Sequence, residues 1–191
     1  SACFELVNSE PYYSPEKYKV TVNGVEEDAE RDTNVFSLFN LKPDTEYTVT
    51  AGADGCKVTF VTEKETGVVS VKAFGAKGDG RTDDTPAVQG AIDACPKGGR
   101  VEVPEGTYLI RPLTLKSDIT VELKKGATLL GDTVEEHYPV IPARTVADGK
   151  EEITASWEGD PYDCRQALIY AYRQKNIRIV GEGFINGNAD N

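Results

Sequence analysis

At 191 residues, with 39% hydrophobic and 28% charged residues, the chain has room for one large or two small domains and the composition of a globular protein. Its net charge of -11 argues against nucleic acid as a partner, because phosphate binding needs basic patches, and requires any polyanionic ligand to meet local Arg or Lys against the global field. No apolar run approaches the roughly 18 residues of a membrane span, so no membrane partner is expected.

The opening Ser1-Ala2-Cys3-Phe4-Glu5 has no basic stretch followed by an apolar core and is not expected to be a signal peptide. The sequence contains no Met and is expected not to begin at its translation start. Cys3, Cys56, Cys95 and Cys164 form no C-x-x-C pair and His137 is the only histidine, so neither a metal site nor a cofactor is expected. Spacing does not choose among the three disulfide pairings. Cys3–Cys56 is conceivable, and buried thiols acting as small apolar residues are the preferred reading.

Residues 1–66 read as short strands between turns. Phe4 and Leu6, then Tyr18, Val20 and Val22, alternate with polar neighbours, the period of half-buried strands. Asn23-Gly24 signals a hairpin because both residues accept positive φ. Further strands are expected at 35–39, within 41–50 and at 57–62. The stretch Leu41-Lys42-Pro43-Asp44-Thr45-Glu46-Tyr47-Thr48-Val49-Thr50 resembles the fibronectin type III pattern. The resemblance implies a β-sandwich in which the Tyr47 hydroxyl returns to nearby backbone, in a domain shorter than the usual ~100 residues and with its first strand missing or reduced.

Residues 63–67 read as a linker, and residues 67–191 as a second domain. A short strand at Val68-Val69-Ser70-Val71 leads to a Gly-rich turn over 74–80 and a helix over about 84–95. Asp84 or Thr85 can cap that helix, and Pro86 suits its first turn. Val88, Ala91, Ile92 and Cys95 make one apolar face. The turn lacks any phosphate-binding fingerprint, and Asp79, Asp83 and Asp84 read as turn and cap chemistry rather than as catalytic carboxylates.

After Gly99 come short strands separated by Gly or polar turns and no further helix. Residues 117–132, SDITVELKKGATLLGD, resemble residues 175–188, KNIRIVGEGFINGN. A repeated strand–turn–strand unit marks a solenoid, and strands of three to five residues mark a β-helix, with the amphipathic helix placed to plug its open end. The fold class is therefore all-β: a small sandwich followed by the first coils of a right-handed parallel β-helix with a capping helix. The last coil is expected to expose an apolar edge through which the chain associates with itself.

VKAFGAKGDGRTDDTPAVQGAIDAC with GGRVEVPEGTYLI, residues 71–95 and 98–110, resembles the entry motif of the pectate-lyase-like β-helix superfamily. LTLKSDITVELKKGATLLGD, with the later YPVIP and IYAYRQKNIRIVGEGFINGN, is similar to glycoside hydrolases of the polygalacturonase family. The resemblance implies hydrolysis of α-linked galacturonic acid chains with inversion, using carboxyl groups roughly 6.5–9.5 Å apart so that water fits between them. Family members carry these groups in Asn-Thr-Asp and Asp-Asp motifs on successive coils, followed by Gly-His-Gly and Arg-Ile-Lys. That motif set does not occur here: His137 lies in Glu-Glu-His-Tyr-Pro, and Ile177-Arg178-Ile179 precedes any such motif. The chain is therefore expected to be an inactive front portion of such an enzyme, and no catalytic residue is assigned.

The long connection from Asp132 to Arg165 supplies the candidate substrate contacts: Arg144 and Arg165 for sugar carboxylates, and Trp157, the only tryptophan, to stack on a sugar face or to form the core of the loop. The expected partner is a pectin-type polysaccharide or oligogalacturonide, which favours a secreted or periplasmic setting. Two alternatives remain open: a calcium-dependent polysaccharide lyase and a non-enzymatic glycan-binding or tailspike-like β-helix.

Overall fold

The computed structural model describes residues 1–52 and 54–189. The chain divides into two compact units, Ser1–Glu65 and Thr66–Asn191. Thr66, read from sequence as linker, is tied to the second unit: its amide donates to Gly98 O (3.4 Å) and its hydroxyl to Lys97 O (2.7 Å).

The first unit holds β1 (Ala2–Glu5), β2 (Tyr13–Val22), β3 (Val25–Thr33), β4 (Val35–Leu38), β5 (Glu46–Ala51) and β6 (Cys56–Val61). They form two antiparallel sheets, β1–β4 and β3–β2–β5–β6. Tyr18, Val20, Phe36, Leu38 and Val49 are buried between them, with Phe4 and Phe60 packed alongside. At the hairpin, Val22 pairs with Val25 while Asn23 and Gly24 take φ of 50° and 83°, the two positive angles of a type I′ turn. The Tyr47 hydroxyl accepts the Lys42 N–H at 2.9 Å. Strand β3 is absent from the sequence reading because Val-Glu-Glu-Asp-Ala-Glu-Arg-Asp-Thr has little strand propensity. It forms as an edge strand, where charged side chains stay hydrated and deter pairing with other chains.

The cysteines depart from the expectation of buried thiols. Cys95 is buried, but Cys3 and Cys56 are exposed, and no disulfide joins them. In β1 the side chains alternate between the two faces, and Cys3 takes the outward face opposite to Phe4.

The second unit contains β7 (Val68–Ser70), β8 (Asp79–Asp83), α1 (Thr85–Ala94), β9 (Gly99–Val103), β10 (Gly106–Ile110), β11 (Leu113–Thr114), β12 (Ile119–Leu123) and β13 (Ala127–Gly131). The long connection adds β14 (Val140–Ile141), β15 (Arg144–Ala147), β16 (Lys150–Ile153), β17 (Ser156–Trp157), β18 (Asp160–Pro161) and β19 (Cys164–Arg165). Then come β20 (Ile169–Tyr170), β21 (Ile177–Gly181) and β22 (Phe184–Asn186). The coils stack as three parallel sheets, β7–β9–β12–β21, β8–β10–β13–β22 and β11–β20. This is a parallel β-helix. Alternate residues point inward, so Val101, Val103, Val121, Leu123, Tyr108 and Leu129 share one core with Val88, Ala91 and Ile92 of α1. Among the described residues no helix is long and apolar enough to cross a membrane.

Ile119 pairs with Ile177 and Thr128 with Phe184, so the two similar sequence segments lie on each other in space. The turn joining the two strands is two residues shorter in the later coil, which brings its backbone against the earlier one. Glu182 and Gly183 both donate to Leu123 O. Gly181 has φ +111°, and a Cβ there would sit 2.0 Å from Leu123 O.

The helix start is built differently from the sequence expectation. Asp84 occupies the N-cap position but its carboxylate makes no cap bond. It is buried and accepts the amides of Lys77 (2.6 Å) and Gly78 (2.8 Å), the donors a phosphate would need. Thr85 instead links elements: its hydroxyl donates to Asp83 and accepts the Arg111 amide. Asp79 accepts the amides of Thr82 and Arg81 and the Thr82 hydroxyl, which lowers its pKa from 3.8 to about 2. Strand β8, read from sequence as turn, pairs with β10 in parallel despite its polarity.

Gly181→Ala is expected to lower the unfolding free energy by more than about 2 kcal/mol, through both backbone strain and the clash at Leu123 O. Gly149→Ala, at φ +74° with nothing within 4 Å, is expected to lose only about 1 kcal/mol. Urea unfolding of the two variants measures the difference. For Asp79 the folded pKa is depressed, so its contribution is complete above pH 3.8 and lost as pH falls towards 2. The stability difference between the wild type and Asp79→Asn should therefore be flat above that window and vanish below it in acid titrations of unfolding.

Candidate functional site

The second parallel sheet ends at a polar edge. Ile110 pairs with Gly131 and Leu130 with Asn186, so the register carries Arg111, Asp132 and Asn188 to the same edge of successive coils. Asp132 donates its amide to Ile110 O (2.8 Å), and Asn188 donates through Nδ2 to Gly131 O (3.0 Å). Here the chain leaves the stack and enters the long connection.

Asp132 anchors that departure. Its Oδ1 accepts the Val134 amide at 2.9 Å, and its Oδ2 lies 2.5 Å from His137 Nδ1. Arg111 Nε stands between two carboxylates, 3.2 Å from Asp83 Oδ2 and 3.4 Å from Asp132 Oδ2. It has hydrogen-bond geometry to neither, so the bridge is electrostatic. Burial by itself raises the Asp132 pKa, but the Val134 amide, His137 and Arg111 outweigh it and hold the carboxyl below its ordinary value. An ionised carboxylate only accepts, so His137 carries the proton on Nδ1 and donates. Burial and the Asp132 charge push the Tyr138 hydroxyl up, and it donates to Asp132 O at 2.7 Å.

A cavity of about 380 Å³ opens beside this anchor, lined by Asp132, Glu135, Tyr138, Arg165 and Asn188 among others. It brings in one of the three residues singled out from sequence. Arg165, on β19, holds Glu135 and the Tyr138 carbonyl at its wall. Arg144 and Trp157 are not part of the lining. Arg144, on β15, pairs with Glu151 at 3.0 Å across the β15–β16 hairpin. Trp157, on the β17–β18 hairpin, is 68% exposed and so is not the core of the loop. The connection is held by backbone pairing of three small antiparallel ladders, β14–β19, β15–β16 and β17–β18.

Sequence reasoning missed Asp132, His137, Glu135 and Tyr138. A signal was present: Gly131-Asp132 and Gly187-Asn188 end the two similar segments, which places Asp132 at a coil edge. Among the described residues no three His, Cys, Asp or Glu side chains gather as a metal site would require.

Residues 68–187, spanning the capped stack of parallel strands, match the model of the rhamnogalacturonase A/epimerase, pectate-lyase-like family. The chain belongs to this family. Among relatives in sequence, an exo-poly-α-D-galacturonosidase of Dickeya chrysanthemi is 40% identical over 139 residues, covering 73% of this chain and 22% of that protein. A plasmin and fibronectin-binding protein A of Streptococcus pneumoniae is 36% identical over 146 residues, covering 68% of this chain and 20% of that protein. The solved structure of a Family 28 exopolygalacturonase from Yersinia enterocolitica superposes with a TM-score of 0.64 at 28% identity. That match covers 91% of this chain, more than the second unit contains, and 36% of the Yersinia chain. The chain thus spans between 20% and 36% of the length of these relatives.

Asp132→Ala removes the acceptor of the Val134 amide and the partner of His137. The Val134 amide is expected to exchange with solvent roughly tenfold faster, the equivalent of one hydrogen bond to a charged group. Hydrogen exchange read residue by residue tests this, with the Leu129 amide in the core as the internal control.

Proposed function

We propose that the chain is the front part of a glycoside hydrolase that cleaves α-linked galacturonic acid chains, of the pectin or polygalacturonate class, by an inverting two-carboxylate mechanism. The observation that carries this reading is the match of the chain to the exo-poly-α-D-galacturonosidase at 40% identity over 139 residues. The acid and base carboxylates are assigned to later coils of the longer protein. Asp83 and Asp132, carboxylates at the polar edge, both approach Arg111 Nε.

In this reading the cavity at the polar edge borders the path of the polymer. Arg165 takes a sugar carboxylate, which supplies the local cation that an acidic protein needs for an acidic substrate. Arg144 and Trp157 are proposed as outer contacts on the connection, where Trp157 is open to stack on a pyranose face. The first unit is proposed as a fibronectin type III-like sandwich that spaces or positions the hydrolase. Its two antiparallel sheets and the Tyr47–Lys42 hydrogen bond support that reading. Ile179 and Ile185, in register with the inward-facing Val121 and Leu129, are exposed at the last coil, where those later coils would stack, and association of the chain with itself through this end is proposed only in their absence.

The relation to the pneumococcal plasmin and fibronectin-binding protein A favours one second reading, a β-helix that binds without turnover. Incubating the full-length protein with polygalacturonate separates the two. Hydrolysis is expected to generate new reducing ends without unsaturated products that absorb in the near ultraviolet. Unsaturated products would indicate a lyase, and a binding isotherm with no turnover would indicate the adhesin-like role.

A further inference from the structure

Arg165 already holds a carboxylate, and holds it incompletely. Its Nε and Nη2 both approach a single oxygen, Glu135 Oε1, at 3.2 Å. The same edge of a guanidinium matches two carboxylate oxygens when the pair is fully formed. Nη1 donates separately to Tyr138 O at 2.9 Å, and that bond orients the guanidinium without help from Glu135. The Glu135 side chain is 75% exposed and opens a short 3-10 turn, Glu135–His137. An exposed pair of this kind is weak and screened by salt.

We infer that Glu135 stands in for the sugar carboxylate on Arg165 and is exchanged for it when a uronate enters the cavity. The inference rests on the reading of the cavity as a galacturonan contact. Charge gives the exchange its direction. Glu135 and Arg165 face each other on the cavity wall, and Asp132 beside them is already paired with Arg111. A second carboxylate is repelled until Glu135 swings into solvent, and it then gains the two-oxygen match that Glu135 does not make. A neutral sugar has no group that displaces Glu135, so it finds the guanidinium occupied. Glu135 therefore tempers uronate binding by the strength of its pair with Arg165 and leaves neutral sugars, which make no carboxylate match, unaffected.

The test is calorimetric binding of oligogalacturonides, and of neutral galactose oligomers of the same length, to the full-length protein and its variants. Circular dichroism checks that each variant is folded. Glu135→Gln is expected to bind oligogalacturonides about fivefold more tightly, the factor set by losing an exposed ion pair, with neutral oligomers unchanged. Arg165→Gln is expected to bind oligogalacturonides about tenfold more weakly and, combined with Glu135→Gln, to erase the gain. If Arg165→Gln weakens binding while Glu135→Gln matches the wild type, the exchange is wrong and the cavity reading stands. If the wild type does not bind, or Arg165→Gln binds as the wild type does, the cavity reading itself fails and the exchange fails with it.

Discussion

The parallel ladder through Ile119–Leu123 holds the second unit together. That strand pairs on one side with Gly99–Val103 and on the other with Ile177–Gly181, residue for residue. In a parallel stack the inward positions of each coil fall on the inward positions of the next, so one register sets the whole apolar column. A slip of one residue would turn Val121 and Leu123 outward and bring Glu122 into the core. The register also aligns the turns. Asp118 and Asn176 both take left-handed backbone angles, with φ of 61° and 56°, and Asn176 Nδ2 donates to Asp118 at 2.7 Å. Gly98, one coil earlier, has φ of 76° and donates its amide to Asp118 O.

The same alignment that fills the core leaves charge at the rim. Outside the first sheet, Arg100, Glu122, Lys124 and Glu102 form an ion-pair chain in which Glu102 and Glu122 are direct neighbours across the ladder. Burial alone raises the Glu122 pKa, and Lys124 and Arg100 reverse it. At the end of the second sheet the pattern recurs as Asp83, Arg111 and Asp132, where it also fixes the point at which the connection leaves the stack. Structural electrostatics and the candidate binding wall are therefore continuous: Asp132 anchors the coil edge through its backbone and side chain and also lines the cavity.

Much of the fold was legible in the residues themselves. The helix face of Val88, Ala91, Ile92 and Cys95 reads at helical spacing and packs as that spacing implies. The Asn23-Gly24 turn and the similarity of the 117–132 and 175–188 segments report local backbone needs, which any stable arrangement of the chain must satisfy. Strands β3 and β8 were not legible, because their side chains are polar and their pairing comes from the neighbouring strand. Cys3 was misread as buried for a related reason: composition does not say which face of β1 an individual residue takes.

The repeating coil and its capping helix follow from short-range chemistry, and the sequence by itself determined them. The cavity wall belongs to tertiary structure. Arg165 and Glu135 are thirty residues apart and meet because β14 pairs with β19, which closes the connection on its own root. Nothing in the composition of that stretch distinguishes Arg165 from Arg144, which turns instead to Glu151 on its own hairpin. A side chain's partner is set by which backbones are brought side by side, and in a loop of short antiparallel pairs that choice is made only when the whole connection folds over the stack beneath it.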